Sequence, residues 1–270
     1  DFPGAVTCCG INNRGVALIN DKVVSHTLDG RLIVTNKETG EIEQEVQLAD
    51  ASVSEVITAA PLVVKNSAIT GVAGAEYGIR GWLHSTNLAD GSKNWRTYTI
   101  PAPGEPGSDT WKQGPESHSK DAWMHGGGST WVVGSYDPDL DVIYWGVGNP
   151  GPDWDNEYRP GDNLYSNSVL ALDADSGKIK WYFQYTPNDP YDFDGVNEQT
   201  LVDAKIFGKK TKAVLHADRN GFAYALDRES GKFLWGTPFV KKLDWTAGLD
   251  KYTGRPLDYD PNKDVQRYVP

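Results

Sequence analysis

The sequence predicts an all-β fold, a β-propeller with Trp-bearing blade motifs, and three observations support that. Its 270 residues include 10 Trp, 29 Gly and 16 Pro, a composition of many turns joining short aromatic strands. The apolar runs, such as the one from Ala59 to Val64, are strand-sized. One hairpin-like segment also recurs at roughly the period of a propeller blade.

The first copy is Asn36-Lys-Glu-Thr-Gly40, which keeps the turn but has Gln44 where the later copies have Trp. A looser second copy is Asn87-Leu-Ala-Asp-Gly91-Ser-Lys-Asn-Trp95. The clearest is Asp173-Ala-Asp-Ser-Gly177-Lys-Ile-Lys-Trp181, and Asp227-Arg-Glu-Ser-Gly231-Lys-Phe-Leu-Trp235 repeats it. An apolar strand such as Ser168-Val-Leu-Ala-Leu172 enters a tight turn where Gly supplies φ > 0, and a second strand leaves carrying the indole. That is a β-hairpin. A twisted four-stranded sheet has two apolar faces and must stack on neighbours, and a flat Trp suits the gap between blades. The glycines lie 51, 86 and 54 residues apart, close to the ~40–50 of one blade apart from one long interval. An insertion accounts for the long interval. It falls at 97–122, where Ile100-Pro-Ala-Pro-Gly-Glu-Pro-Gly107 cannot form a regular element and predicts a long rim loop that carries functional groups or covers a site. Four units are fewer than radial closure usually needs, so residues 1–270 are expected to be a single partial propeller domain of about four to five blades. A β-sandwich with coincidental hairpins is the competing fold.

Charge and composition exclude some functions. With 26 Lys+Arg against 37 Asp+Glu the net charge is −11, which excludes binding of nucleic acid or anionic membranes by bulk charge. No apolar run approaches the ~18 residues of a membrane helix. Zinc-type Cys/His spacing is absent from the sequence, and His118 and His125, seven apart in an irregular loop, read as incidental.

Cys8 and Cys9 are the only cysteines and they are adjacent. Neighbouring Cα atoms sit ~3.8 Å apart, below the usual disulfide range of about 4.4–6.8 Å, so a ring between them is strained. Such a disulfide is a hard, flat plate suited to pressing on a planar ligand, and it implies an oxidising compartment. Two reduced, buried thiols serving as small hydrophobes are the equal alternative.

A more specific pattern runs in order over nearly the whole chain. Cys8-Cys9-Gly10, Asn13-Arg14-Gly15, Gly74-Ala75-Glu76, Gly126-Gly127-Gly128-Ser129-Thr130-Trp131, Gly148-Asn149-Pro150, Arg159-Pro160-Gly161-Asp162-Asn163 and Asp218-Arg219-Asn220-Gly221 together closely resemble the quinoprotein alcohol dehydrogenases. These are pyrroloquinoline quinone (PQQ) enzymes of the methanol and ethanol dehydrogenase type. The resemblance implies an eight-bladed propeller, of which this chain is a middle portion lacking the first blade and the last few.

PQQ is planar and polyanionic, so it needs a flat slot with cationic anchors. The resemblance implies that Cys8-Cys9 forms one wall and Trp131 the other, that Arg14 pairs with a cofactor carboxylate, and that Thr58, Ala73, Gly74, Ala75 and Ser129 hold the rim. Methanol dehydrogenases have Ser at the place of Ala73 and Thr at that of Ser129, so one side-chain hydrogen bond to the cofactor is expected to be missing. Taken singly, Trp131 reads as inter-blade packing and Arg14 as a surface charge. Glu76 and Asn149 match the family's metal ligands, both in Gly-rich turns at apparent strand ends. Within Tyr191-Asp-Phe-Asp194-Gly195, Asp192 matches the proposed general base, close enough to touch the metal. Arg219 is expected to hydrogen-bond the quinone oxygen.

Asp192 and Asp194 alternate, and alternate residues of an extended segment point the same way, so both are expected to face one ion. The added carboxylate favours a trivalent, high-coordination cation, and this Asp-x-Asp pattern resembles the lanthanide-dependent branch, with Ca²⁺ as the alternative. A solvated turn carboxylate is the plainer reading of Asp194. The resemblance thus implies a periplasmic dehydrogenase that oxidises primary alcohols to aldehydes. No Cys-x-x-Cys-His haem motif is present in these residues, so electrons are expected to leave to a separate cytochrome c-type acceptor or to a haem domain outside the segment; a homodimer is left open. A PQQ-dependent sugar or polyol dehydrogenase and a non-catalytic propeller scaffold are the alternatives.

Overall fold

The computed structural model describes residues 7–112 and 117–260. These residues form four antiparallel four-stranded sheets, each a meander in strict chain order. The first contains β1 (Ala17–Ile19), β2 (Lys22–His26), β3 (Arg31–Asn36) and β4 (Ile42–Gln47). The second contains β5 (Leu62–Val64), β6 (Ser67–Gly71), β7 (Trp82–Asn87) and β8 (Lys93–Tyr98). The third contains β9 (Ser135–Asp137), β10 (Val142–Val147), β11 (Ser168–Asp173) and β12 (Ile179–Gln184). The fourth contains β13 (Thr200–Ile206), β14 (Lys209–Ala217), β15 (Phe222–Asp227) and β16 (Phe233–Pro238).

Each sheet is apolar on both faces, so the cores lie between sheets. Val24, Leu32 and Val34 of the first sheet meet Ala68 and Trp82 of the second. Ile69, Leu83 and Trp95 meet Ile143, Trp145 and Leu170 of the third. Tyr144, Val169 and Ala171 meet Val214, Tyr224 and Leu226 of the fourth. Inner strands are therefore buried on both sides: all six residues of β10 are buried, giving a continuous apolar run rather than an alternating one.

The repeated segment joins the third and fourth strands of every sheet. In the third, the Asp173 carboxylate accepts from the Ser176 amide (2.9 Å) while its carbonyl accepts from the Gly177 N–H (2.8 Å). Asp227 and Gly231, Asn87 and Gly91, and Asn36 and Gly40 make the same backbone closure. The indoles of the second and third sheets, Trp95 and Trp181, then dock on the glycine of the next sheet. A Cβ on Gly177 would lie 2.4 Å from Trp95, and one on Gly231 would lie 2.5 Å from Trp181. Trp95 also donates its indole N–H to the Ala174 carbonyl (3.2 Å). Where Gln44 replaces Trp, it and Val46 take that position against Gly91.

A fifth copy of the turn, Asp250 to Gly254, makes the same closure, with Gly254 N–H to the Asp250 carbonyl at 2.8 Å and Thr253 N–H to the Asp250 carboxylate at 2.7 Å. It lacks a following Trp, and its flanks are reduced to one bridge, Leu249 to Pro256.

The 97–122 segment behaves otherwise than expected. Thr97 and Tyr98 belong to β8, and 3₁₀ segments span Ser108–Thr110 and Ser117–His125. None of its described residues lines the cavity discussed below. Instead Trp111 donates to the Leu164 carbonyl (2.5 Å) and Tyr165 to the Pro106 carbonyl (3.0 Å), so the loop buttresses 159–165.

Gly177 sits at φ +68°, and a Cβ there would meet the Trp95 indole at 2.4 Å. In the full-length protein, Gly177→Ala is expected to cost about 1–3 kcal/mol more in the wild-type background than in a Trp95→Ala background, the overpacking penalty alone. Urea unfolding measures the difference; equal losses would mean that the turn conformation, not the docked indole, sets the requirement for glycine.

Candidate active site

Residues from the segments that precede and connect the strands of the four sheets line one cavity of about 400 Å³. Its size is within the ~300–1,000 Å³ typical of small-molecule sites. Cys8 and Cys9 are joined by a disulfide with Cα atoms 3.8 Å apart, and both are exposed at its wall. The alternative of buried reduced thiols is therefore not what the chain adopts.

The run Gly126 to Trp131 threads between the second and third sheets and bonds to both. Thr130 N–H donates to the Val72 carbonyl (2.7 Å), and the Ser129 carbonyl accepts from Gly148 (2.7 Å). Glycine is required where it passes: a Cβ on Gly71 would lie 2.0 Å from the Thr130 carbonyl oxygen. Ser129 and Trp131 thereby reach the cavity. The guanidinium of Arg14 lies over the indole of Trp131, 4.7 Å from the ring centroid, and reaches the Thr58 carbonyl at 3.4 Å. A planar ligand resting on that indole face would displace it. Thr58, Ala73 and Gly74 line the cavity as well, whereas Ala75 is buried and stands off the lining.

Gly74, at φ +120°, starts the short 3₁₀ turn Ala75–Tyr77 that carries Glu76 to the cavity. Asn149 follows β10 directly and is 5% exposed. Its backbone N–H donates to Asp194 Oδ1 (3.0 Å) and its side-chain Nδ2 to Asp153 Oδ1 (2.7 Å).

Asp192 and Asp194 both line the cavity, but not as alternate residues of an extended segment. Both sit in the left-handed region, at φ +58° and +57°. The cause is Asp189, fully buried, whose carboxylate accepts from the Tyr191 amide (2.9 Å), the Phe193 amide (2.7 Å) and Asn167 Nδ2 (2.8 Å). The backbone curls around that carboxylate and turns the next two aspartates outward. Arg219 meets both: Nη1 is 2.8 Å from Asp194 Oδ2 and Nη2 is 3.9 Å from Asp192 Oδ2. The turn holding Arg219 is closed by Asp218, which accepts from the Asn220 amide (2.8 Å) and is paired beneath with buried His216 (2.9 Å).

Four carboxyls in this cavity are pushed above their ordinary values, and burial is the leading cause in each. Asp192 is raised to about 6, with repulsion from Asp153 next in weight, and Asp194 to about 7, with the Asn149 amide pulling back. Glu76 and Asp153 shift in the same direction. Four acidic groups against two arginines, Arg14 and Arg219, leave negative charge uncompensated when the carboxyls are ionised, which fits a hard multivalent cation with oxygen ligands. Among the described residues no three His, Cys, Asp or Glu side chains are already gathered as ligands, and both Asp194 oxygens are engaged by N–H donors. His125 donates from Nδ1 to the Gly78 carbonyl (2.9 Å), and the side chain of His118 lies outside the described ones.

Asp153, Trp154, Tyr77 and Thr7 also line the cavity without having been singled out by the sequence. A larger cavity of about 640 Å³ opens on the other side of the 190–194 loop, walled by Tyr191, Phe193, Trp245 and Tyr259. It shares Arg219 with the first and holds none of the other expected site residues, so the chemistry belongs to the smaller one.

A family model described as "PQQ: Glucose/ethanol/alcohol dehydrogenase, beta-propeller domain" matches residues 5–241. The chain belongs to this family of PQQ dehydrogenases. Quinoprotein alcohol dehydrogenase PedH of Pseudomonas putida is 44% identical over 95% of this chain. A lanthanide-dependent methanol dehydrogenase of Methylacidiphilum fumariolicum is 38% identical over 97% of it. The solved structure of a europium-containing methanol dehydrogenase aligns at a TM-score of 0.87 and 39% identity, covering 96% of this chain and 47% of that one. This quinoprotein chain spans 44% of the length of each of these two curated relatives.

In the full-length protein, Asp189→Ala is expected to speed amide exchange at Tyr191 and Phe193 about 10- to 100-fold, from loss of charge-assisted bonds worth ~1.5–3 kcal/mol. Amides of β15 serve as the control; unchanged exchange at 191 and 193 would show that the loop holds its shape without the buried carboxylate.

Proposed function

We propose that the whole protein is a periplasmic PQQ-dependent dehydrogenase that oxidises primary alcohols to aldehydes and uses a lanthanide ion. The single observation behind this is one cavity shared by the Cys8–Cys9 disulfide, Trp131, Arg14, Arg219 and four carboxylates. When bound, the quinone supplies the acceptor for the hydride leaving the alcohol carbon, and a cation beside it supplies Lewis acidity.

The chain's own residues do the rest. Cys8–Cys9 and Trp131 offer flat apolar surface, and Arg14, free to swing from the indole, offers a guanidinium to a carboxylate. Asp192 takes the hydroxyl proton at a carboxylate oxygen; its value of about 6 makes it ionised at neutral pH yet basic enough to accept. Arg219 stands 3.9 Å from Asp192 and supplies positive charge where oxygen gains negative charge. Glu76, Asn149, Asp192 and Asp194 would hold the cation. Asp194 favours the lanthanide over Ca²⁺, because Glu76, Asp192 and Asp194 together match a charge of three. Two of the relatives compared are named for lanthanide dependence or europium content, in line with this.

The exposed disulfide supports an oxidising compartment. No helix of the described residues is long and apolar enough to cross a membrane. Electrons would leave to a cytochrome c-type acceptor, separate or carried as a haem domain outside these residues.

The test uses full-length apo-protein supplied with PQQ and either Ca²⁺ or La³⁺, with dye reduction followed on ethanol, methanol and glucose. Alcohol oxidation is expected, faster with La³⁺, and Asp192→Asn should lower kcat by about 10²–10⁴, the range of a lost general base. Preference for glucose would replace the alcohol assignment, and no turnover on any substrate would leave a non-catalytic propeller. Asp194→Ala is expected to lower the La³⁺-supported rate more than the Ca²⁺-supported rate; equal losses would remove the lanthanide assignment.

A further inference from the structure

Asn149 offers one neutral oxygen to the cavity only if its amide is turned the right way. Free to rotate about its last bond, an Asn presents nitrogen as readily as oxygen, and nitrogen repels a cation. Here Nδ2 is committed: it donates to Asp153 Oδ1 at 2.7 Å and, more weakly, approaches the Pro150 carbonyl at 3.4 Å. Both partners are acceptors, so chemistry assigns the nitrogen to that side and leaves the oxygen for the cavity.

Asp153 is itself held. The fully buried Arg159 donates through Nη2 to the Asp153 carbonyl (2.9 Å) and through Nε to the Pro152 carbonyl (2.8 Å). The backbone from which the carboxylate projects is thus anchored to the interior. Asn149 has a second tether, its N–H on Asp194 Oδ1 at 3.0 Å, so only its side-chain torsion depends on Asp153.

We propose that Asp153 is a positioning residue that locks the Asn149 amide with its oxygen toward a hard cation. The proposal rests on the cation-dependent function given above. It assigns Asp153 a hydrogen-bond role in which the acceptor oxygen matters more than the charge.

Cation affinity of the full-length protein, measured by Tb³⁺ luminescence and by calorimetry with La³⁺ and Ca²⁺, tests it through two variants. Asp153→Ala removes the acceptor and is expected to weaken binding about 10- to 100-fold, the usual effect of losing a partner that orients a metal ligand. Asp153→Asn keeps an acceptor oxygen and should bind within about threefold of wild type, since that is less than ~1 kcal/mol. Circular dichroism of both variants without metal should match wild type. If Asp153→Asn loses as much as Asp153→Ala, charge rather than orientation is at work and the proposal falls. It falls equally if Asp153→Ala binds like wild type. Failure of wild type to bind any of the three ions overturns the cation reading itself, and the proposal with it.

Discussion

A single buried guanidinium ties the site together. Arg159 is fully buried, and burial lowers its pKa to about 10, which still leaves it charged at neutral pH. Its five N–H groups are spent on Pro152 and Asp153 on one side, Asn188 and Asp189 on another, and the Asn163 side chain between. A guanidinium suits this because its donors radiate in a fixed plane, so the loops it binds are held at fixed separation. One of those loops orients Asn149; the other contains Asp189 and hence the curl that presents Asp192 and Asp194. A charge buried without these carbonyls would be prohibitive, so the loops and the arginine require each other.

Beyond that anchor, the site inherits its rigidity from the stack of sheets. Cores lie between sheets, and the connections that leave the inner ends of the strands are stitched across the same boundaries, as Gly126 to Trp131 shows. Cavity walls therefore come from segments more than a hundred residues apart in the chain yet fixed to adjoining layers. Such an arrangement gives rigid first contacts and leaves adaptability to exposed side chains such as Arg14 and Trp154.

Much of this was legible because certain local structures demand certain residues. A turn closed by an Asx side chain and a left-handed glycine must show Asn or Asp four places before Gly, and the four strong copies do. Adjacent cysteines and the acidic pair near residue 192 stood out for their chemistry. What escaped notice depends on distant partners. Nothing near Asp192 and Asp194 announces a left-handed backbone, since the cause is a carboxylate turned inward at Asp189. Asp153 matters only because Asn149 folds against it. The placement of 97–122 is decided by carbonyls at 106 and 164 that sequence does not pair. The turn at Asp250 to Gly254 carries no indole after its glycine, so the sequence signal that marks the later copies is missing there.

The indole-on-glycine contact gives the stack a handed, one-way grammar. Every sheet has a socket, its hairpin glycine, and a plug, the large side chain four residues on, and plug always follows socket along the chain. Trp95 enters the socket at Gly177 and Trp181 the one at Gly231, never the reverse. Sheets joined by this rule cannot be shuffled or inverted without leaving an orphaned plug. Gly40, in the first sheet, has the same left-handed turn at φ +75°, the shape that takes a plug from a neighbouring sheet.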